Sequence, residues 1–109
     1  MTQYDHRILT AAEYFIRIIK GKWKLRIIYI LNDRHQHGFN EITRLISESN
    51  RAIINKHLIQ LTSDMLIQKE HIPSVAVHNK YVISDRGLRT NEIIRRIGEQ
   101  VLRESLCEK

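Results

Sequence analysis

The sequence predicts a mainly α-helical fold with one small β-hairpin, an α+β class. Its 109 residues contain four glycines and one proline, so few residues interrupt helices. Apolar residues recur at helical spacing in several segments. Residues 66–72 and 75–83 are rich in β-branched side chains and flank Pro73, which is typical of two hairpin strands.

The first two helices are predicted at 8–19 and 22–31, separated by Gly21. A helical stripe in the first helix contains Ile8, Ala12, Phe15 and Ile19, and Leu9, Ile16 and Ile18 lie outside it. A helix this apolar needs more than one surface to pack against. The second helix is apolar with basic flanks, and Trp23 among its apolar neighbours is predicted to be a core residue.

Two short helices joined by a turn are predicted next. Residues 32–38 form a turn with a brief strand, and Asn40 is the predicted N-cap of a helix carrying Ile42, Leu45 and Ile46. After a second turn at 47–50, Asn50 is the predicted cap of the following helix. The core face of that helix is predicted to contain Ile54, Leu58, Leu61 and Met65, and its outer face Ala52, Lys56, Ile59 and Ser63, with Asn55 beside them.

The hairpin and a last helix complete the chain. Ser84 is the predicted cap of this helix, which extends to about residue 106. Two short helices followed by a hairpin form the winged helix-turn-helix arrangement, here predicted as a single domain over 1–109. The first and last helices carry more apolar surface than one small domain covers, so we expect them to form a homodimer interface.

Charge and composition indicate which binding partners and which cellular compartment to expect. Lys and Arg number 18 against 12 Asp and Glu, a formal charge of +6, which suits nucleic acid or an anionic membrane. No stretch approaches the ~18 to 20 apolar residues of a membrane span, and residues 1–7 lack the apolar core of a signal peptide. With one cysteine, Cys107, no internal disulfide can form. We therefore expect a cytoplasmic protein without a membrane partner.

Four motifs, in order and at matching spacing, resemble the HxlR-type family of bacterial winged-helix regulators, relatives of the MarR-like proteins. They are GKWKL at 21–25, FNEI at 39–42, the passage LIQL…MLI at 58–67, and YVISDRG at 81–87. The resemblance covers about residues 11–100. It implies a winged helix-turn-helix transcriptional regulator that binds DNA.

The sequence departs from the family pattern at four places. Thr10 and Ala11 stand where many members have Cys-Pro, so thiol sensing at that site is not expected. The other departures lie in the helix-turn-helix and the wing: Gly38 for an arginine, Leu66 for a glycine, and Ala76 with Val77 for a proline pair.

The helix at about 50–64 is predicted to enter the major groove of DNA, and the wing at about 70–82 to lie on the backbone or in the minor groove. Arg51 suits guanine, Asn55 adenine, and Ala52 or Ile53 a thymine methyl. Alternatively, Asn50 only caps the helix and Arg51 only contacts phosphate. Lys56 completes this face, and predicted phosphate contacts come from Arg44, His78, Asn79 and Lys80, with Lys22 and Lys24 as weaker candidates.

Other chemistry has little support in the sequence. His35 and His37 are a possible metal-ligand pair, but a structural zinc site needs four ligands, so neither metal nor cofactor is expected. Cys107 is expected to be a bystander rather than a nucleophile, although an intersubunit disulfide stays a hypothesis. No phosphate loop, GxSxG or HExxH motif occurs, so we expect no enzyme.

The leading hypothesis is a homodimeric transcription factor on a pseudo-palindromic DNA site. The alternative is a protein-interaction module that uses the winged helix without binding specific DNA, which would expose a larger apolar patch on the outer face of the 50–64 helix. A small-molecule effector bound between the dimer helices and the core is possible by analogy with MarR-like proteins.

Overall fold

The computed structural model describes residues 5–33, 35–71 and 79–107. They form α1 (His6–Ile19), α2 (Lys22–Ile30), β1 (His37–Gly38), α3 (Phe39–Leu45), α4 (Arg51–Ser63), β2 (Ile67–His71), β3 (Asn79–Ile83) and α5 (Asp85–Cys107). The sheet is antiparallel with the order β1-β3-β2. The predicted class, mainly helical with a small hairpin, is confirmed.

The β2–β3 hairpin forms the wing, with a register that runs from Ile67 opposite Ile83 to His71 opposite Asn79. Its strands lie inside the predicted 66–72 and 75–83, and residues 72–78 fall outside the described part of the chain. The predicted brief strand in the turn before α3 is also confirmed, since β1 pairs with β3.

The hydrophobic core lies where α2, α3 and α4 meet the sheet. On α4, Ile54, Leu58 and Leu61 are fully buried, as the helical spacing predicted. Ile27 and Ile28 of α2 are likewise fully buried and belong to the same cluster. Full burial of each such side chain contributes roughly 1.5–3 kcal/mol relative to exposure, so this face holds α4 firmly in one orientation. Trp23 is half-buried and packs against the cluster, as expected.

The end of α4 differs from the prediction at two residues. The helix stops at Ser63, and the chain reverses with the Leu66 amide donating to the Leu61 carbonyl and the Met65 amide to the Thr62 carbonyl, both at 3.0 Å. This is the Schellman pattern, which places Met65 in the left-handed region at φ 62°. Met65 is therefore exposed and not a core residue, and it, rather than the buried Leu66, has the backbone that favours glycine.

Two helix caps are confirmed and one is wrong. The Asn50 Oδ1 atom accepts from the Ile53 amide at 2.9 Å, and the Ser84 Oγ atom accepts from the Gly87 amide at 3.0 Å. Asn40 does not cap α3, because Gly38 is the N-cap and the helix already begins at Phe39. The Asn40 side chain is thereby free to contact α4 across the turn.

The first helix packs through its C-terminal end, where Ile19 of the predicted stripe and Ile18, predicted to lie outside that stripe, both contact the core. Ile18 is the buried side chain of α1, whereas Ile8 in the predicted stripe is 69% exposed. Gly21, at φ 103° and ψ 151°, connects α1 to α2 in a backbone region that is essentially restricted to glycine. Only the C-terminal end of α1 reaches the core.

The last helix is joined to the core through its first half. Asn91 is buried, and its Nδ2 atom donates to the Ile28 carbonyl at 2.7 Å. Leu88 and Ile94 pack against the core cluster beside it. Farther along α5 the apolar side chains Ile97, Val101 and Leu102 are 54–64% exposed within the subunit.

Candidate nucleic-acid interface

The outer face of α4 is polar and basic. Its core-facing residues are buried, and the side chains on the opposite face are exposed, namely Arg51, Ala52, Asn55, Lys56, Ile59 and Ser63. The predicted division of α4 into a core face and an outer face is therefore confirmed, apart from Met65. The first turn of the helix is the part from which side chains best approach DNA base edges.

An open cavity of about 710 Å³ lies between α3, the first turn of α4 and strand β3 of the wing. It brings together five of the predicted site residues from three elements: Arg44, Arg51, Ala52, Asn55 and Lys80. Its three cations face a single carboxylate, Glu41, among the lining residues. The cavity therefore has the positive charge and the concave shape that suit a phosphate-bearing ligand.

The Arg51 side chain of α4 contacts α3 across the turn that joins the two helices. Its Nη1 atom donates to Asn40 Oδ1 at 2.9 Å, and its guanidinium carbon lies 4.7 Å from the centre of the Phe39 ring. Both partners lie in the first turn of α3. Sequence analysis missed this contact, because it gave Asn40 a capping role and considered Phe39 only as part of a motif.

Lys80 lies on β3 of the wing, opposite Gly38 of β1. A Cβ atom at Gly38 would lie 3.4 Å from the Lys80 amine, so this lysine extends over β1 toward α3. Arg44 is exposed in the last turn of α3. Lys80 of β3 and Arg44 of α3 therefore line the same cavity from different elements.

The remaining predicted residues do not line this cavity. Lys56 is exposed one position farther along α4, and Asn50 is engaged as the helix cap. His78 and the side chain of Asn79 lie outside the described residues. The weaker candidates Lys22 and Lys24 lie on α2, where the Lys22 amine is 4.7 Å from the centre of the Trp23 ring.

A buried histidine contacts Glu41, one of the residues that line the cavity. His37 is 7% exposed, with Nε2 at 2.9 Å from Asp33 Oδ1 and Nδ1 at 3.1 Å from Glu41 Oε2. Burial lowers the pKa of His37, but the two carboxylates together outweigh it and raise that pKa above 6.5. The hydrogen bond from His37 lowers the pKa of Asp33. His37, considered above as a metal ligand, instead links the turn before β1 to α3.

This cluster predicts a pH dependence of stability. Folding raises the His37 pKa, so protonated His37 stabilises the folded state. This stabilisation is fully present below pH 6.5 and is lost as the pH rises through the pKa of His37 in the folded protein. We expect the free energy of unfolding, measured in urea, to decrease in the wild type as the pH rises from 6.5 through the pKa of His37 in the folded protein. In His37→Gln this decrease should be smaller. The exposed His35→Gln is the control and should follow the wild type. Identical pH profiles for wild type and His37→Gln would contradict the charged cluster.

Two helices joined by a turn, a core-packed second helix with a polar outer face and a β-hairpin wing define a winged helix-turn-helix protein. The HxlR-like helix-turn-helix family model matches residues 18–106. The chain therefore belongs to the HxlR-like helix-turn-helix family.

Individual relatives agree with this assignment. The uncharacterized HTH-type transcriptional regulator YdzF of Bacillus subtilis is 31% identical over 75 residues, 69% of each chain. Another uncharacterized HTH-type transcriptional regulator, from Halalkalibacterium halodurans, is 30% identical over 91 residues, 80% of each chain. A solved structure assigned to the MarR family, from Enterococcus faecalis, is similar in fold with a TM-score of 0.80 at 18% identity, covering 97% of this chain and 96% of that one. The chain is a transcriptional regulator of the helix-turn-helix type.

Within the described residues, no helix has the length and apolar content that a membrane span requires.

Proposed function

We propose that this regulator binds specific double-stranded DNA as a homodimer, with α4 in the major groove and the wing on the backbone or in the minor groove. The observation that carries the proposal is the exposed polar face of α4, which borders a cavity containing three cations. A helix of this size fits the major groove, and its first turn is at the right place to contact base edges.

Each residue of this face has a distinct role in the proposal. Arg51 donates to guanine, Asn55 pairs with adenine, and Ala52 contacts a thymine methyl, each contributing roughly 1–3 kcal/mol of discrimination. Arg44 and Lys80 neutralise phosphates on either side of the helix, and Lys56 extends the basic face along it. Asn50 serves mainly as the cap that directs the first turn, and His78 and Asn79 of the wing are further phosphate candidates.

The homodimer is proposed from the apolar surface of α1 and α5. Of the 13 large apolar side chains that are exposed in the described residues, eight lie on these two helices. Such a concentration is typical of an interface with a second copy. A two-fold dimer would place its α4 helices about 34 Å apart, one turn of DNA, and therefore bind a pseudo-palindrome.

Selection from random duplexes tests the proposal. We expect an enriched two-half-site sequence that is bound at least ~1000-fold more tightly than random DNA. If three cations per subunit contact phosphate, log affinity should fall with log salt with a slope of about −5. Equal affinity for selected and random duplexes at low salt would contradict specific recognition.

The protein-interaction alternative is less well supported. On the outer face of α4, Ile59 is the one large apolar side chain that is exposed in the described residues, at 61%. The side chains around it on that face are polar or small, so the face lacks the larger apolar patch that this alternative requires.

A small-molecule effector is also part of the proposal. An apolar groove of about 410 Å³ between α2, α3 and α5, lined in part by Leu25, Tyr29 and Ile94, has the volume of a small-molecule site. Organisation as a single domain over 1–109 and a cytoplasmic location also stay predictions.

A further inference from the structure

We propose that Asn40 and Phe39 are positioning residues that hold the Arg51 guanidinium in the orientation needed to recognise its base pair. This inference rests on the proposed DNA-binding function and concerns the same site. Neither residue belongs to α4. Both lie in the first turn of α3, so the specificity of one helix would depend on side chains of its neighbour.

The geometry constrains the guanidinium in two ways. Phe39 is half-buried and packs against the hydrophobic core, so its ring is a fixed surface 4.7 Å from the guanidinium carbon. The 2.9 Å hydrogen bond from Nη1 to Asn40 Oδ1 then selects one rotation of the planar group over that ring. Stacking and hydrogen bonding together leave the long arginine side chain with few conformations to lose on binding.

One edge of the guanidinium remains available for DNA. Arginine has five N–H donors, and the bond to Asn40 uses one of them. Two of the remaining donors are enough for the paired contact to guanine O6 and N7. Arg51 is exposed and lines the open cavity, so this contact can form without first breaking the bond to Asn40. The chemistry therefore favours guanine at the position that Arg51 faces.

The inference predicts that Asn40 acts through Arg51. Arg51→Ala first identifies the contacted base pair as the position where selectivity is lost. We expect Asn40→Ala to lower the preference for that base pair about three- to tenfold, with little change in affinity for random DNA. In an Arg51→Ala background, adding Asn40→Ala should change the preference by less than about twofold, because the arginine it positions is gone.

Two further variants separate positioning from structural support. Asn40→Asp retains an oxygen acceptor, so selectivity at that base pair should persist while overall affinity falls from added charge repulsion. Thr43→Ala is the matched control on α3. Its Oγ1 atom donates to the Asn40 carbonyl at 2.7 Å, and no hydrogen bond joins it to Arg51 in the described residues, so the selectivity of Thr43→Ala should equal that of the wild type. Thermal unfolding of each variant verifies that α3 stays folded.

The outcomes distinguish this inference from the proposed function. Wild-type protein without sequence preference would overturn the proposed function and this inference with it. A selective wild type whose preference is unchanged by Asn40→Ala would overturn the inference alone. An equal effect of Asn40→Ala with and without Arg51 would show that Asn40 acts independently, and a similar loss in Thr43→Ala would assign the effect to the helix. Either result would also contradict positioning.

Discussion

Gly87→Ala is expected to destabilise the fold by at least ~3 kcal/mol. A Cβ atom at Gly87 would lie 2.2 Å from the Leu66 carbonyl oxygen and 2.6 Å from Ile83 Cγ1. That carbonyl accepts the Ser84 amide at 3.1 Å and the Ser84 hydroxyl at 2.9 Å. The methyl group therefore cannot be accommodated by a side-chain movement alone and must displace backbone that joins α4, the wing and α5.

Thermal unfolding provides the measurement, with an expected decrease in the melting temperature of roughly 10 °C or more. Gly98→Ala is the control on the same helix, because a Cβ atom there has nothing within 4 Å in the subunit. It should be neutral or stabilising by up to about 1 kcal/mol, as expected for alanine in a helix. A Gly87→Ala protein that melts within a few degrees of the wild type would contradict this close approach of α5 to the α4–β2 turn.

Ile97→Glu is expected to convert the proposed dimer into a folded monomer. Ile97 is 57% exposed in the subunit and lies on the face of α5 that also carries Ile93 and Val101. In a dimer, the glutamate would bury an unpaired charge in an apolar interface, whereas in the monomer it faces water. Loss of two-site binding should weaken affinity for a two-half-site duplex at least about 100-fold.

Analytical ultracentrifugation gives the oligomeric state, and circular dichroism verifies the fold. Arg96→Gln, which changes the charge by the same amount on the polar face of α5 beside Glu92, is the matched control and should stay dimeric. Dimeric Ile97→Glu protein with wild-type DNA affinity would contradict an interface on this face. Loss of folding in Ile97→Glu would contradict the expected folded monomer, because an exposed position of an independently stable subunit tolerates a charge.

Most of the helix-turn-helix could be predicted because its signals are local. The spacing of Ile54, Leu58 and Leu61 indicates which side of α4 is buried, and burial of one side leaves the other exposed. Asn50 and Ser84 could be predicted as caps because each is a preferred capping residue directly before a helical pattern, and both side chains bond to amides three residues ahead. Such contacts depend on few residues and can be inferred without the rest of the fold.

The errors occurred where distant contacts determine the outcome. Helical spacing continues through Met65, but the chain reverses before it and leaves that side chain in solvent. In α1, several faces are apolar, so spacing alone could not show that Ile18 meets the core beside Ile19 while Ile8 stays exposed. Asn40 resembles a cap by position, yet the helix starts earlier and its side chain contacts Arg51 instead.

The sequence by itself determined the class of fold, the buried face of α4 and the polar character of its outer face. These follow from periodicity and residue type, which act over one or two helical turns. Only the tertiary structure decided that Arg51 contacts Asn40 and Phe39, that Lys80 and Arg44 share one cavity, and that Gly87 has no room for a methyl group. The physical reason is that these contacts join separate elements, whose relative positions are set by packing of the whole core.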